Sequence, residues 1–415
     1  MHTCSDTGKG VHVHEEKKYR LADFFDSWWD IYVKNPKKFI RPEQYKAVNA
    51  MRVCRTAVLG VDVYACPQCG EISERYYSCK NRFCPTCSWN DTVIWAEKVK
   101  LRMLNIPHRH IVLTLPHALN GIIKRNQYDL LSILMRTAAD TFKDWMLNKH
   151  GIKIGIISVL HTYGEKKNFH AHVHMIVSWG GIRAKHKNLK LIEGTYVNYK
   201  FLQKKFRCKY EDELIAMFDK GELDNDFINR QQFMRFIKKV NQHDWVLHLE
   251  PPMDTPEEVI RYIGRYSKRA CLSEYKITNI EGEYLTFKYK DNKDRDENKK
   301  PKEKEERLHY RDFFPRLLQH VPLPYFRLVR YYGIYSNKGF IPQEYIYKKK
   351  EEITSKGLEV GEKAENSKVC KECGCEKEYI HTIFDKRKRN ERTTKFDMYK
   401  DKYLIINRYE YKHAA

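Results

Sequence analysis

The chain contains the stretch Asn168-Phe169-His170-Ala171-His172-Val173-His174-Met175-Ile176-Val177, in which three histidines stand at alternate positions. Successive residues of a β-strand point to opposite faces, so the three imidazoles share one face and Val173 points to the other. His170 and His174 would lie ~13 Å apart at ~3.3 Å per residue, so the three histidines would not all bind one ion. We predict His172 and His174 as a metal-binding pair, because an apolar run follows them directly. The alternative is a solvated strand face that carries histidines without a metal.

A second strand-like run, Ile154 to Leu160, ends at His161, and a turn-like segment separates it from the histidine strand. A hairpin between these two runs would place His161 beside His172 and His174. Such a three-ligand site would keep open positions that can accept a phosphate oxygen. His161 is our first choice for the third ligand, and His170 and Glu165 remain alternatives. A further short apolar run of strand type begins at His110.

The segment from Thr255 to Ala270 has the pattern of a capped helix. Thr255 suits the N-cap, Pro256 suits the first helical position, and two glutamates complement the positive end of the helix dipole. Tyr262 and Tyr266 would then lie on one face, one turn apart. The basic residues around them are Arg261, Arg265, Lys268 and Arg269. The same tyrosine spacing recurs at Tyr331/Tyr335 and at Tyr399/Tyr403.

The cysteines cluster in closely spaced pairs, which indicates metal binding rather than disulfides in a chain without a secretory signal. Two C-x-x-C pairs predict one tetrahedral Zn²⁺ with four thiolates, from Cys66, Cys69, Cys84 and Cys87. Cys54 and Cys79 are additional candidates, which could complete a second zinc site with a histidine or aspartate, or could be buried free thiols. Near the C-terminus, a third group offers three thiolates and a possible fourth ligand, namely Cys370, Cys373, Cys375 and His381.

The composition predicts an anionic partner. Lysine and arginine total 77 against 54 acidic residues, a formal net charge of +23, and nucleic acid is the commonest partner of such a chain. A membrane is not expected as a partner, because no run of 18 apolar residues appears. Residues 1–20 are polar and lack the apolar core of a secretory signal, so we expect a cytoplasmic protein that associates with the nucleoid when bound to DNA.

A threonine-containing strand, a His-hydrophobic-His strand and a later two-tyrosine helix, in this order, resemble the HUH endonucleases. The chain is more closely similar to the two-tyrosine rolling-circle transposases of insertion-sequence family ninety-one, which begin with a cysteine-rich zinc domain. Further blocks occur in the order of that family, namely Cys54 to Cys87, Leu113-Thr114-Leu115-Pro116, Phe314 to Val321 and Arg330-Tyr331-Tyr332-Gly333. Phe83 and Asp62 stand where histidines are usual in the family.

The resemblance implies an α/β (α+β) fold with a mostly antiparallel central sheet, flanking helices and a separate zinc module in front. It implies a DNA transposase that nicks and rejoins single-stranded transposon ends and target DNA through a 5′-phosphotyrosine. Tyr262 and Tyr266 would be the nucleophiles, with catalytic Mg²⁺ or Mn²⁺ at the histidines and structural Zn²⁺ at the cysteines. The side chains expected to contact DNA are Arg261, Arg265, Lys268 and Arg330. The oligomeric state is left open.

We expect five segments along the chain. These are a flexible arm (1–20), a zinc-binding DNA-recognition domain (21–105), a nuclease domain (106–340) with a charged helical insertion (185–248), and a basic tail with a cysteine cluster (341–415). The aromatic spacing from Leu21 to Val53 predicts core-packing helices, and the mixed charges of Tyr289 to Arg307 predict a solvated loop. Two alternatives are a plasmid replication initiator or relaxase, which would share the nicking chemistry, and a non-catalytic zinc-ribbon DNA-binding protein.

Overall fold

The computed structural model describes residues 19–37, 39–194, 196–256, 258–259, 270–347, 369–385 and 403–406. Within these residues the α-helices are α1 (Leu21–Val33), α2 (Pro42–Arg52), α3 (Pro85–Lys100), α4 (Asn120–Arg125), α5 (Gln127–His150), α6 (Tyr199–Asp219), α7 (Arg230–Val240) and α8 (Tyr310–Leu318). Short 3-10 turns lie at His117–Leu119, Glu274–Lys276 and Gln343–Tyr345. None of the helices in this part of the chain has an apolar stretch long enough to cross a membrane.

The strands form four sheets. They are β1 (Val61–Ala65), β2 (Ile72–Tyr76), β3 (His108–Thr114), β4 (Ile152–Lys153), β5 (Gly155–Tyr163), β6 (Phe169–Ser178), β7 (Gly180–Arg183), β8 (Leu189–Leu191), β9 (Val246–Met253), β10 (Ile277–Glu281), β11 (Tyr284–Arg295), β12 (Pro301–His309), β13 (Val329–Gly333), β14 (Glu378–Asp385) and β15 (Tyr403–Ile406). The mixture of helices and antiparallel sheets confirms the predicted α+β class.

The central sheet has the strand order β13-β5-β6-β3-β9, and every neighbouring pair is antiparallel. Its strands are rich in β-branched residues, which pack well on a pleated surface. On one face, Leu113, Val173 and Met175 are fully buried in a core that includes Leu134 and Phe142 of α5. Alternation within each strand therefore leaves the histidines of β6 on the opposite face.

That opposite face is partly covered by a smaller apolar cluster. Ile157 and Val159 of β5 and Ile176 of β6 pack there with Trp95 of α3 and with Val259. The cluster covers one part of the face, and the histidines occupy another.

The charged insertion contains two helices, as predicted, and both join the main core. Tyr210 of α6 and Phe233 of α7 are fully buried there, and the α6 side chain of Phe206 packs edge-on against Trp245. The insertion therefore extends the layer of α5 across the sheet. A role for it in DNA contact stays a prediction.

The N-terminal helices pack against the later part of the chain. Phe25 of α1 stacks on Phe314 of α8 with ring centroids 4.7 Å apart, and Phe24 meets the same ring edge-on at 5.6 Å. Leu285 and Phe287 of β11 complete this core. The prediction that the aromatic residues of the lead-in serve core packing is confirmed.

The prediction of a solvated loop from Tyr289 to Arg307 is wrong, because β11 and β12 form a long hairpin there. Leu285, Phe287 and Tyr289 are buried and alternate with half-buried residues, which is the period of a strand packed on one face. The mixed charges pair across the strands, with Lys288 Nζ 2.9 Å from a Glu303 carboxylate oxygen. Opposite charges on facing strands stabilise the pairing of the two strands, whereas the sequence alone indicates only that these side chains are solvated.

Candidate functional site

The hairpin of β5 and β6 brings three imidazoles together. His161 is the direct strand partner of His172, and Val159 is the partner of His174, which stands two residues further along the same face. The ligand nitrogens of His161, His172 and His174 all lie within 4.8 Å of one another. The predicted hairpin is therefore present, and it places His161 where a third ligand is needed. The binding of a metal by these residues stays a prediction.

Hydrogen bonds orient two of the three histidines of β6, His172 and His174. The Nδ1 atom of His172 lies 2.9 Å from the carbonyl oxygen of His170, to which it donates, and Nδ1 of His174 lies 2.9 Å from Nε2 of His110. A histidine that ligates a metal through one ring nitrogen commonly uses its other nitrogen in such a bond. Nε2 is then the nitrogen of His172 and His174 that would face an ion.

Burial keeps these imidazoles neutral. Desolvation lowers the pKa of His172 and of His174 well below the usual value, and the neighbouring His161 adds to the effect. The neutral imidazole is the form that donates a lone pair to a metal. A cluster of three close imidazoles, with His161 and His174 buried and His172 half-buried, and without an acidic group among them therefore fits a divalent cation.

The two alternative third ligands lie elsewhere. His170 turns toward His117, with its Nδ1 atom 3.2 Å from His117 Nε2. Glu165 forms an ion pair with Lys276 at 3.0 Å and accepts a hydrogen bond from the backbone of Lys290. Neither side chain belongs to the three-histidine cluster.

His110 is a residue that the sequence reasoning missed as part of the site. It lies on β3, and burial lowers its pKa to about 4. Strand β3 is a neighbour of the histidine strand β6, and His110 pairs there with Ile176. The sequence position of His110 could have revealed it. His110 stands two residues before Val112 on a strand that pairs with β6, and Val112 is the strand partner of His174.

The start of the tyrosine helix lies beside the histidine face. The backbone N–H of Glu258 donates to the Thr255 hydroxyl at 3.3 Å, which confirms the predicted N-cap. Val259 is fully buried in the cluster that contains Val159, the strand partner of His174. The predicted nucleophiles and their basic neighbours lie outside the described residues, namely Tyr262, Tyr266, Arg261, Arg265 and Lys268.

The Tyr331/Tyr335 pair does not offer an equivalent site. Tyr331 lies in β13, where its hydroxyl accepts a hydrogen bond from Trp95 Nε1 at 2.8 Å. The hydroxyl of Tyr335 is 2.7 Å from His108 Nε2, and its side chain is 1% exposed. The Tyr331/Tyr335 pair is therefore part of the core, and Tyr399 lies outside the described residues.

Arg330, a predicted DNA contact, lies on β13. Its guanidinium donates to the Ser132 hydroxyl of α5 at 2.8 Å and lies over the ring of Phe326 at 5.0 Å. These contacts fix the stem and head of the side chain against the protein. A contact with DNA stays a prediction.

The first cysteine cluster consists of Cys54, Cys79, Cys84 and Cys87. Cys54 follows α2, and Cys84 is the residue before α3. The sulfur of Cys87 lies 3.4 Å from that of Cys54 and 3.6 Å from that of Cys79. Hydrogen bonds from the Cys79 and Cys84 thiols lower the pKa of Cys54 to about 7, toward the thiolate form that binds zinc. Phe83 is buried beside this cluster.

The prediction that Cys66, Cys69, Cys84 and Cys87 share one zinc is wrong. Cys66 and Cys69 form a second cluster with Cys370 and Cys373, while Cys84 and Cys87 belong to the first. The reason is strand pairing, because β14 of the predicted tail pairs with β1 and carries the turn at Cys370 next to the β1–β2 turn. Cys54 and Cys79 complete the first cluster without a histidine or aspartate.

The expected ligand His381 lies on β14 opposite Val63 and is not in either cysteine cluster. Cys375 is also outside them, and its thiol hydrogen bonds to Gln68. The tail group therefore contributes two cysteines to a site that is shared with a segment about three hundred residues earlier in the chain.

Comparisons with known proteins find matches to the region of the histidine cluster and to the region of the first cysteine cluster. A family model described as "Putative transposase" matches residues 155–340, and one described as "Transposase zinc-binding domain" matches residues 24–115. The chain is 30% identical over 326 residues to "Putative transposase y4qJ" of Sinorhizobium fredii, covering 77% of this chain and 80% of the relative. It is 27% identical over 321 residues to "Transposase for insertion sequence element IS801" of Pseudomonas savastanoi pv. phaseolicola, covering 74% of each. No solved structure matches the chain.

Proposed function

The chain belongs to the transposases of insertion-sequence family ninety-one, and we propose that it nicks and rejoins single-stranded DNA through a 5′-phosphotyrosine intermediate. The observation that carries this proposal is the cluster of His161, His172 and His174 on the sheet face beside which a capped helix begins. The sequence pattern predicts that this helix includes Tyr262 and Tyr266, which lie outside the described residues. A metal-activated phosphate and a tyrosine nucleophile are the two parts that such a reaction requires.

The three histidines would hold the divalent ion. Bound Mg²⁺ or Mn²⁺ would supply a Lewis acid that polarises an oxygen of the scissile phosphate. The sheet fixes the spacing of the imidazoles, and the hydrogen bonds at Nδ1 of His172 and His174 fix the direction of each ring. Imidazoles also accept Zn²⁺ and Ni²⁺, so the preference for a hard ion comes from the phosphate and not from the ligands.

A tyrosine would perform the bond exchange. The hydroxyl of Tyr262 or Tyr266 loses its proton and attacks phosphorus in line, while the 3′-oxygen leaves and takes up a proton. The phosphotyrosine conserves the phosphodiester bond energy, so a 3′-hydroxyl can later reverse the reaction and join two strands. Two tyrosines one turn apart would allow a second strand to be cut before the first is released.

The test of this function is the formation of a covalent protein–DNA adduct. The full chain would be incubated with labelled single strands taken from both flanks of its gene, with Mg²⁺ or Mn²⁺, and separated on a denaturing gel. We expect an adduct on a strand from the element's end, and none after chelation or on the same sequence as a perfect duplex. Binding without any adduct on either flank would contradict the proposal and would indicate a DNA-binding protein.

A further inference from the structure

We propose that Cys66, Cys69, Cys370 and Cys373 bind a second structural zinc ion, which joins the C-terminal segment to the N-terminal zinc module. The last two cysteines lie outside both regions that match the family models, which cover residues 24–115 and 155–340. The four side chains form a compact group that is separate from the first cysteine cluster. With four thiolates in each cluster, the chain would bind two zinc ions.

The two halves of this site have the same local design. Each is a C-x-x-C-G turn, formed by residues 66–70 and 370–374. The Gly70 N–H donates to the Cys66 carbonyl at 2.9 Å, and the Gly374 N–H donates to the Cys370 carbonyl at 3.0 Å.

The two glycines also share a backbone conformation. Gly70 has φ +74° and Gly374 has φ +76°, a left-handed conformation that side chains rarely adopt. A Cβ atom at either position would meet no neighbouring atom. Glycine is therefore required by the backbone conformation and not by crowding. Two such turns that face each other make the four-thiolate arrangement of a zinc ribbon. The Cys84–Cys87 pair differs, because it leads directly into α3.

The sulfur positions fit a tetrahedral ion. The Sγ–Sγ distances are 3.4 Å for Cys66 and Cys373, 3.4 Å for Cys69 and Cys370, and 3.7 Å for Cys69 and Cys373. Zn–S bonds of ~2.3 Å in a tetrahedron place the sulfurs about 3.8 Å apart. A disulfide requires about 2.05 Å, so none of these pairs is a disulfide.

A buried cation stands beside the site. The Lys377 side chain is 2% exposed, and its ammonium lies 3.0 Å from the Glu71 carboxylate. The same carboxylate is 2.7 Å from Sγ of Cys370, so the lysine lies close to the sulfurs. The ammonium balances the charge of the Glu71 carboxylate, so this ion pair adds no net negative charge beside the four sulfurs.

The site lies at one end of a shared sheet. Strand β14 follows the Cys370–Cys373 turn and pairs with β1, which precedes the Cys66–Cys69 turn. Metal binding at the turns would hold β14 in register with β1. Because a structural zinc site contributes folding energy directly, we expect the C-terminal segment to detach when the metal is lost.

Metal analysis of the full-length protein tests the proposal. We expect two zinc ions per chain for the wild type and one for the double variant Cys370→Ser/Cys373→Ser. The matched control, Cys208→Ser/Cys375→Ser, removes two thiols that lie outside both clusters and should retain two ions. One zinc ion in the wild type, or the same number of zinc ions in the Cys370→Ser/Cys373→Ser variant as in the wild type, would overturn the proposal.

Hydrogen exchange distinguishes a shared site from two independent ones. In Cys66→Ser/Cys69→Ser the amides of 378–383 should exchange at least tenfold faster, although the substitutions are three hundred residues away. The same increase is expected in Cys370→Ser/Cys373→Ser, while a peptide covering β6 should be unchanged in both variants and so reports that the central sheet is folded. If the amides of 378–383 are as well protected in the Cys66→Ser/Cys69→Ser variant as in the wild type, the zinc site is not shared between the two segments.

Discussion

The rings of His172 and His174 are oriented by groups of the protein itself, so their orientation does not require DNA. A backbone carbonyl orients the first ring, and His110 orients the second. His174 is buried and His172 half-buried, and desolvation lowers the pKa of each, which favours the neutral form. The proposed chemistry would therefore use a ligand set that is formed before the substrate binds.

Replacing these two ligands should separate chemistry from DNA binding. In His172→Ala/His174→Ala we expect the rate of adduct formation to fall by about a thousandfold or more, since Lewis-acid stabilisation is worth several kcal/mol. DNA binding should be largely intact, because it depends mainly on lysine and arginine contacts. Adduct rates and binding would be measured on the same labelled strand, with the exposed His186→Ala as control. An adduct rate equal to that of the wild type would refute the metal assignment.

Local elements could be predicted from the sequence when their partners are close along the chain. The hairpin of β5 and β6 was predictable because a short turn joins two strands of matching pattern, and it places His161 opposite His172 as expected. The cysteine pairing was not predictable, since Cys66 and Cys370 meet only through the pairing of β1 with β14. The β11–β12 hairpin was missed because alternating charges can indicate either solvent or facing strands.

The β11–β12 hairpin should stabilise the N-terminal aromatic core. Phe287 is fully buried there, with its ring 6.4 Å from that of Phe313, so Phe287→Ala should lower the free energy of unfolding of this region by about 3–5 kcal/mol. Lys288→Ala removes a partly exposed ion pair from the same strand and should cost less than about 1 kcal/mol. Denaturant unfolding followed by tryptophan fluorescence would report the difference through Trp28 and Trp29. Equal effects of the two substitutions would mean that the hairpin does not support this core.

At the scale of the whole molecule, segments that are far apart in the chain meet on one sheet, while the central sheet carries the proposed chemistry. The C-terminal strand β14 pairs with β1 of the zinc-binding region, and the N-terminal helix α1 packs on α8 of the nuclease region. Segments predicted as separate along the sequence therefore share cores and sheets. Sequence patterns report local periodicity, and they do not report which distant segments pack together.

The net charge of +23 should govern the affinity for DNA. We expect the logarithm of the binding constant for a single strand to fall linearly with the logarithm of salt concentration, with a slope of about −4 or steeper, which corresponds to roughly six phosphate contacts. Fluorescence anisotropy between low and moderate salt would measure it. His172→Ala/His174→Ala should have the same slope, because its lost imidazoles are neutral. A slope near zero would show that phosphate contacts do not carry the binding.

We propose that Tyr262 and Tyr266 are the nucleophiles of a reaction centred on the histidine cluster. The test measures adduct formation on single-stranded element ends by three variants, namely Tyr262→Phe, Tyr266→Phe and the double variant. Phenylalanine keeps the ring and removes only the hydroxyl. Each single variant should still form an adduct, which peptide mapping would assign to the remaining tyrosine, and each should fail in complete transposition. The double variant should form none. An adduct that persists in the double variant would contradict the account, since the DNA would then be bound to another residue.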